Sequence, residues 1–217
     1  MKHTWRYLLV LSLLLLLIPF ADAATSGSFS IGFGSDHIKS NGAGIDSNTL
    51  ASCTPELDVF CQSTPGLNGF FLGFSGDIML SKLLGFGGEI SFLPARGNYG
   101  PLEFRQTFYD FNAIVMPVVK KRFALKLMGG IGGAKTGFSI NESSCVGTAI
   151  CTNENQSIGS ANHFQLHAGA GVEVYLTDYL FIRPQFDLRY VPGFTDQFGS
   201  NLVPGGMFWI GFRTSNH

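Results

Sequence analysis

Two histidines are the first residues in this chain whose types and spacing could bind a metal ion. His163 and His167 lie in the stretch HFQLHAGAGVEVYLT, residues 163 to 177. On a helix this spacing would place both imidazoles on one face, as in the H-E-x-x-H pattern of zinc proteases. Every second residue from Phe164 to Leu176 is apolar, however, and this alternation predicts a strand. In a strand the imidazoles would lie about 13 Å apart, too far to share one ion. We therefore predict no metal site and no cofactor, and a strand with one apolar and one polar face.

The cysteines fall as two close pairs, Cys53 with Cys61 and Cys145 with Cys151. Each pair lies in a polar segment between strand-like runs. A zinc site would need C-x-x-C spacing with histidines nearby, and neither segment has it. In an exported protein, two local disulfides are the expected state of these thiols.

The first 23 residues have the three regions of a secretory signal peptide. Lys2 and Arg6 precede an apolar run from Tyr7 to Phe20, and residues 21 to 23 match an A-x-A cleavage signal. A membrane anchor is the competing interpretation, but this run is shorter than the roughly 20 residues that a spanning helix needs. We predict residues 1–23 to be a cleaved signal peptide and residues 24–217 to form one barrel domain.

The composition indicates extended structure with an apolar outer surface. Glycine and phenylalanine are abundant, at 28 and 21 residues, while only 13% of the residues are charged. The formal net charge of −1 gives no indication of a nucleic-acid partner.

Apolar and polar residues alternate in about eight runs along the chain. They cover residues 29 to 38, 69 to 81, 83 to 93, 105 to 118, 123 to 138, 163 to 177, 179 to 191 and 207 to 213. Tight turns lie near Lys82, Lys120 and Asp178. They interleave with longer polar loops near residues 39 to 68, 95 to 103, 139 to 161 and 195 to 204. Barrels of the bacterial outer membrane have short periplasmic turns and longer external loops. The pattern therefore predicts an all-β fold, a closed antiparallel up-and-down transmembrane β-barrel of about eight strands.

A soluble sandwich or lipocalin-like barrel is the alternative, because alternation alone does not say which face points inward. The strict alternation of short with long connections favours the membrane barrel, in which closure leaves no backbone edge exposed to lipid. The narrow lumen of an eight-stranded barrel can just be filled by side chains.

The polar faces of the predicted strands collect charges, which would then point into the lumen. We predict a lumen charge network with Lys126, Arg183 and Arg189 as its cations, because buried charges have to pair. Its members are Asp77, Glu89, Asp110, Lys126, Glu173, Arg183, Asp187 and Arg189. The same faces also carry Asp36, His163, Gln165 and His167.

The chain resembles the small outer-membrane β-barrel family of the OmpA, OmpX and Ail type. The signal peptide, the strand–turn–strand stretch HFQLHAGAGVEVYLTDYLFIRPQFDLRYV and the terminal GGMFWIGF carry this resemblance. It implies a location in the outer membrane of a diderm bacterium, and contact with periplasmic chaperones and the barrel assembly machinery during biogenesis. Gly206, Phe208, Ile210 and Phe212 are similar to the family's terminal assembly signal, although residues 213 to 217 follow Phe212.

The resemblance also raises a lipid A-modifying enzyme, because one type of small barrel is a deacylase with a His-x-Ser pair. Gln165 follows His163 at this spacing, and Gly169 follows His167, so neither histidine has the serine. We predict no catalytic residues and a non-enzymatic, monomeric surface protein with a structural, adhesive or protective role. Its contacts are outer-membrane lipid and an unknown extracellular ligand of the long loops. A narrow, porin-like solute or ion pore is the first alternative, and the lipid A-modifying enzyme is the second.

Overall fold

The computed structural model of the chain describes the backbone of residues 26 to 146 and 150 to 214. Side chains are described for the same residues except 141 to 155. The predicted signal peptide, residues 1–23, lies outside the described residues. Within the described ranges, no helix has the length and apolar character needed to cross a membrane.

Twelve strands account for most of the described chain. They are β1 Ser26–Asp36, β2 Gly44–Asp46, β3 Ser52–Cys53, β4 Cys61–Ser63, β5 Phe71–Met79, β6 Leu84–Phe92, β7 Gly97–Tyr99, β8 Leu102–Val119, β9 Phe123–Val146, β10 Ile150–Tyr175, β11 Leu180–Tyr190 and β12 Leu202–Arg213. One 3-10 turn, Phe194–Asp196, lies between β11 and β12.

Eight of these strands close into an antiparallel ring. The order is β1, β5, β6, β8, β9, β10, β11 and β12, and β12 pairs with β1 to complete it. Each strand pairs with the next long strand of the chain, as expected of an up-and-down barrel. The predicted all-β fold is thus confirmed.

The outer face of the ring is apolar because the strands alternate as predicted. In β1, Phe29, Ile31 and Phe33 are 54%, 53% and 44% exposed. Ile31 lies opposite Phe74 of β5 on one side and Ile210 of β12 on the other, so the apolar residues form bands around the barrel. Lipid, rather than protein, is the solvent that such a face fits.

The first external loop folds into a small sheet of its own. Strand β2 pairs with both β3 and β4. The predicted disulfide between Cys53 and Cys61 is present and joins β3 to β4, with Cα atoms 5.8 Å apart. A segment that we predict as a polar loop with one disulfide therefore also forms a sheet of its own.

The third external loop differs from the prediction of a loop over residues 139 to 161. Strands β9 and β10 continue through this region as a hairpin, with one irregularity between Ser157 and Gly159. The prediction was wrong because a hairpin outside the membrane is polar on both faces and so loses the alternation that marks a strand, while its backbone pairing continues. The register places Cys145 opposite Cys151. Their side chains lie outside the described residues, so the second disulfide stays a prediction.

The second and fourth external loops are also shorter than predicted. Strand β7 and the start of β8 occupy most of residues 95 to 103, and the two strands pair there. Strand β12 already begins at Leu202, where its first residues pair with the end of β11. Strand pairing thus extends beyond the apolar band on which the sequence prediction depends.

Candidate functional site

The polar faces of the strands meet inside the ring, where the structure brings the predicted charges together. All eight residues of the lumen charge network are at most 6% exposed. Asp36, Gln165 and His167 are buried with them, whereas His163 is only half-buried. Since a buried charge is costly unless it is paired, the partners of each one decide what the lumen can do.

Arg183 is the centre of the network on the side of the periplasmic turns. Lys126 Nζ donates to Asp77 Oδ2 over 2.6 Å, and Arg183 Nη1 approaches the same oxygen at 3.4 Å. Arg183 Nη2 donates to Glu89 Oε1 over 3.0 Å, and its Nη1 lies 3.5 Å from Glu173 Oε1. One guanidinium therefore contacts carboxylates from three different strands.

Arg189 is the cation on the side of the external loops. Its Nη1 donates to Asp36 Oδ1 over 2.9 Å, and its Nε donates to Asp110 Oδ2 over 3.4 Å. The Gln165 amide donates to the other oxygen of Asp110. The guanidinium carbon of Arg189 also lies 4.9 Å from the centre of the Phe108 ring, so it forms a cation–π contact.

Two polar side chains link these halves. Gln185 Nε2 donates to Glu89 Oε2 over 2.9 Å and to Asp187 Oδ1 over 2.7 Å. His167 Nε2 lies 3.0 Å from the same oxygen of Asp187, and its Nδ1 lies 2.9 Å from Asn112 Oδ1. Polar contacts therefore continue from the Arg183 side towards the Arg189 side of the lumen.

An apolar layer, which we call the external plug, closes the lumen above the charges. Loop 4 inserts Phe194 and Phe198, both 0% exposed, with their ring centres 5.2 Å apart. Loop 1 is held against loop 4 by a backbone hydrogen bond of 2.7 Å from Gly199 N to Lys39 O. The buried members of the plug are Ile38, Leu67, Phe71, Leu93, Tyr99, Phe104, Phe108, Ala134, Val191, Phe194, Phe198, Val203, Met207 and Trp209.

Tyr99 ties the second external loop into this plug. Its ring packs edge-on against Phe138, Phe104 and Phe198, and its hydroxyl donates to the carbonyl of Gln197 in loop 4. Burial raises the pKa of Tyr99 to about 12. The plug is therefore assembled from three loops rather than contributed by one.

A second apolar layer lies below the charges, near the periplasmic turns. Its buried side chains are Met79, Ile114, Met116, Ala124 and Met128. A cavity of about 30 Å³ lies beside it, lined by Asp77, Lys126 and Glu173 among others. This volume has room for about one or two water molecules.

Sequence reasoning missed both apolar layers. The side chains of Phe71, Met79 and Trp209 point into the lumen. The sequence pattern predicts polar and small residues at the inward-facing positions of the strands. The sequence does contain a signal for these layers. Among the inward-facing positions of a strand, large apolar residues lie near its ends and charged residues lie between them. Asn112, which contacts His167, was also missed.

The remaining predicted site residues lie outside the network. His163 packs edge-on against Phe194 of the plug, with ring centres 5.5 Å apart. The four residues of the predicted assembly signal share the outer face of β12, where Phe208 contacts Phe33 of β1 at a ring distance of 5.5 Å. They are Gly206, Phe208, Ile210 and Phe212.

Among the large apolar side chains that the structure describes, the two most exposed lie in the first external loop, within the ring closed by the disulfide. We call residues 54 to 60, which lie between Cys53 and Cys61, the knuckle. Leu57, Val59 and Phe60 are 87%, 97% and 57% exposed. Unlike the apolar band of the barrel, these side chains belong to a loop and not to a strand that faces lipid.

Tight turns fix the base of the knuckle. The backbone N–H groups of Thr49 and Asn48 donate to Asp46 Oδ1 over 2.6 and 2.8 Å. These two hydrogen bonds hold the pKa of Asp46 below its usual value. Phe60 N in turn donates to Asp58 Oδ1 over 2.9 Å. The exposed apolar residues are thus presented by a closed and hydrogen-bonded segment.

A closed ring with an apolar outer band and a filled lumen defines a small outer-membrane β-barrel. The chain belongs to the outer membrane protein beta-barrel domain family, whose family model matches residues 8–208. Its location is therefore the outer membrane, where its strands contact lipid. None of the curated proteins has a detectable match to the sequence.

Solved structures share this fold at low sequence identity. Ail, the attachment invasion locus protein of Yersinia pestis, solved with the heparin analogue sucrose octasulfate, is 16% identical with a TM-score of 0.52. That comparison covers 88% of this chain and 99% of Ail. Neisserial surface protein A is 11% identical over 89% of this chain and 99% of its own, with a TM-score of 0.49. OprG from Pseudomonas aeruginosa is 13% identical over 90% and 98%, with a TM-score of 0.46. At 16% identity the likeness to Ail shows the fold alone.

Proposed function

We propose that the protein is a non-enzymatic surface protein, in which a plugged barrel anchors external loops that bind a partner outside the cell. The observation that carries this proposal is the knuckle. A side chain such as Val59, at 97% exposed, leaves its apolar surface in water when the protein is alone. Burying a valine, leucine or phenylalanine side chain contributes about 1.5–3 kcal/mol, which a binding partner can supply.

The construction of the knuckle supports a role in recognition. The Cys53–Cys61 disulfide and the turns at Asp46 and Asp58 reduce the conformational freedom that would be lost on binding. Exposed Glu56 lies next to the apolar residues. We therefore expect a protein partner with an apolar pocket and a basic rim, because opposite charges at the rim favour association.

The filled lumen supports a non-conducting and non-enzymatic barrel. The external plug lies between the charged layer and the cell exterior, and the second apolar layer lies on the other side. A substrate from outside the cell would have to pass the external plug to reach the titratable groups. At the other end, the cavity beside Asp77, Lys126 and Glu173 has a volume of only about 30 Å³. The network thus serves to fill the lumen, and the loops are the parts open to partners.

Conductance in a planar bilayer separates this proposal from the narrow pore. The mature chain, refolded in detergent and checked by circular dichroism, should insert and remain electrically silent. A steady ohmic step that survives repeated purification would favour the pore and remove the argument from the plugged lumen.

Adhesion of bacteria that display the protein tests the role of the knuckle. We expect Leu57→Ser with Val59→Ser to lower adhesion to a surface coated with extracellular-matrix proteins by at least about tenfold, since two apolar anchors are lost. Ile158→Ser is the matched control, because Ile158 is 48% exposed on the β9–β10 hairpin. Equal adhesion by the wild type and the double variant would exclude the knuckle as the binding surface.

We also propose that residues 1–23 direct export and are removed, and that Phe208 and Phe212 belong to the signal read by the barrel assembly machinery. Their place on the outer face of the closing strand supports this second role. Replacing both with alanine should reduce assembly in cells more than refolding in detergent. The N-terminal sequence of the purified protein should begin at Ala24.

A further inference from the structure

Three polar side chains from three strands converge in the middle of the lumen. Glu89 of β6, His167 of β10 and Asp187 of β11 each offer one ligand atom, and these atoms all lie within 4.8 Å of one another. All three residues are buried, at 5%, 4% and 0% exposed. Octahedral or tetrahedral coordination by protein oxygen and nitrogen places ligand atoms within such a distance.

Positive charge is in short supply around this cluster. Six buried carboxylates, those of Asp36, Asp77, Glu89, Asp110, Glu173 and Asp187, share the lumen with the buried bases Lys126, Arg183 and Arg189. A fourth buried base, Arg213, stacks on the Tyr175 ring at the periplasmic end. With all six carboxylates ionised and Arg213 counted, two negative charges are unmatched, and unmatched charges are costly in a dry interior.

The contacts around His167 are also compatible with a bound cation. Both of its ring nitrogens face oxygen atoms, Asp187 Oδ1 at 3.0 Å and Asn112 Oδ1 at 2.9 Å. A neutral imidazole carries one N–H and can donate to only one of these oxygens. A cation bound between the ring and the carboxylate resolves the contact, and so does turning over the Asn112 amide, whose nitrogen has no partner as placed.

Two buried oxygens of residues at this cluster also lack a hydrogen-bond donor. Asp187 Oδ2 and Gln185 Oε1 have no hydrogen-bond partner, although these residues are 0% and 5% exposed. The nitrogen of the same Gln185 amide lies against Glu89 and Asp187. Turning the amide over would exchange its two ends and aim the unpartnered oxygen between these carboxylates, because amide N and O occupy nearly equivalent positions.

We propose that Glu89, His167 and Asp187, with Gln185 turned to present its oxygen, form a buried binding site for one divalent cation. In this arrangement His167 Nε2 binds the ion while Nδ1–H donates to Asn112 Oδ1, which fixes the ring in the required tautomer. The ion supplies the two missing positive charges. The sequence does not indicate this site, because its ligands come from three strands, β6, β10 and β11.

One imidazole and three oxygens suit zinc, for which four ligands in a tetrahedron are usual. The external plug closes the outer end of the lumen above this site, so we expect chelators to remove the ion only slowly from the folded barrel.

The test is metal content after refolding of the full mature chain in detergent with Zn²⁺, followed by removal of free metal. We expect about one zinc per chain by mass spectrometry. Refolding with Co²⁺ should give visible absorption bands of a four-coordinate ion with nitrogen and oxygen ligands. His167→Gln and Glu89→Gln should each reduce the bound metal at least tenfold. His163→Gln is the matched control. It removes a histidine from the same strand, but this histidine contacts the external plug and not the proposed site.

Gel mobility before and after heating shows whether each variant has folded, so loss of metal can be separated from loss of the barrel. Less than one tenth of a zinc per folded wild-type chain would overturn the proposal. Retention of the metal by folded His167→Gln would overturn it as well. Neither result depends on what the external loops bind.

Discussion

Arg189 and Asp36 form the ion pair in the lumen for which the loss of one partner has the clearest expected effect on stability. Asp36 is 0% exposed, its Oδ1 accepts from Arg189, and its Oδ2 has no partner. Arg189→Met keeps an apolar stem of similar length but leaves this carboxylate without a counter-ion. Removing one partner of a buried ion pair costs about 3–5 kcal/mol. Arg189→Met also removes the contact with Asp110, so adding Asp36→Asn removes one of two stranded charges. The double variant should recover about 2 kcal/mol of that loss, since an unsatisfied neutral group costs less.

Equilibrium unfolding by urea in lipid vesicles measures this effect through Trp209 fluorescence. The sequence has 2 tryptophans, and the other, Trp5, lies in the predicted signal peptide. Trp209 is buried in the lumen next to Arg183, which both variants retain. With a slope near 2 kcal/mol per molar urea, Arg189→Met should lower the midpoint by about 1.5–2.5 M. A loss below about 1 kcal/mol, or a double variant less stable than Arg189→Met, would refute the ionic account of the lumen.

Three further changes probe the loops and the packing of the lumen. Reduction of the Cys53–Cys61 disulfide should lower the free energy of local unfolding of loop 1 by about 2 kcal/mol and so speed proteolysis there. The unfolding midpoint of the barrel should not change. Since burial raises the pKa of Tyr99 to about 12, its contribution to stability should be complete below pH 10 and disappear between about pH 10 and 12. A phenolate absorbance titration checks this, and Tyr99→Phe should abolish that loss. Gly32→Ala should cost about 1–3 kcal/mol, because a Cβ there meets indole carbons at 2.6 and 2.8 Å, whereas Gly76→Ala, with its nearest neighbour at 4.0 Å, should be neutral in the same urea assay.

The barrel itself could be predicted because lipid imposes a period of two on every strand that crosses it. Residues 164 to 176 illustrate this, since their apolar members all face outward in the structure. The same reasoning assigns the charges to the lumen. This reasoning fails outside the membrane, where lipid no longer imposes an apolar face. Strands β9 and β10 accordingly extend far past the predicted boundaries.

The two apolar layers escaped prediction for a related reason. An inward phenylalanine such as Phe71 sits next to an outward Leu72, so the alternation of polarity is lost there although the strand continues. Periodicity reports a contrast between two faces and says nothing when both are apolar. Where the lumen is closed by hydrophobic packing, its lining therefore looks like part of the lipid-facing surface.

Pairing within the network is harder to predict than its membership. Arg189 reaches Asp36 across 153 positions of sequence, and Arg183 reaches Glu89 across 94. Which acid meets which base is decided by the stagger of strands around the ring, and a shift by two residues would keep every parity while exchanging the partners. The proposed cation site depends on this stagger more than any other feature does, because its ligands come from β6, β10 and β11. A charge inventory taken from the sequence can therefore indicate that positive charge is missing from the lumen, while only the register of the closed ring indicates where a cation would supply it.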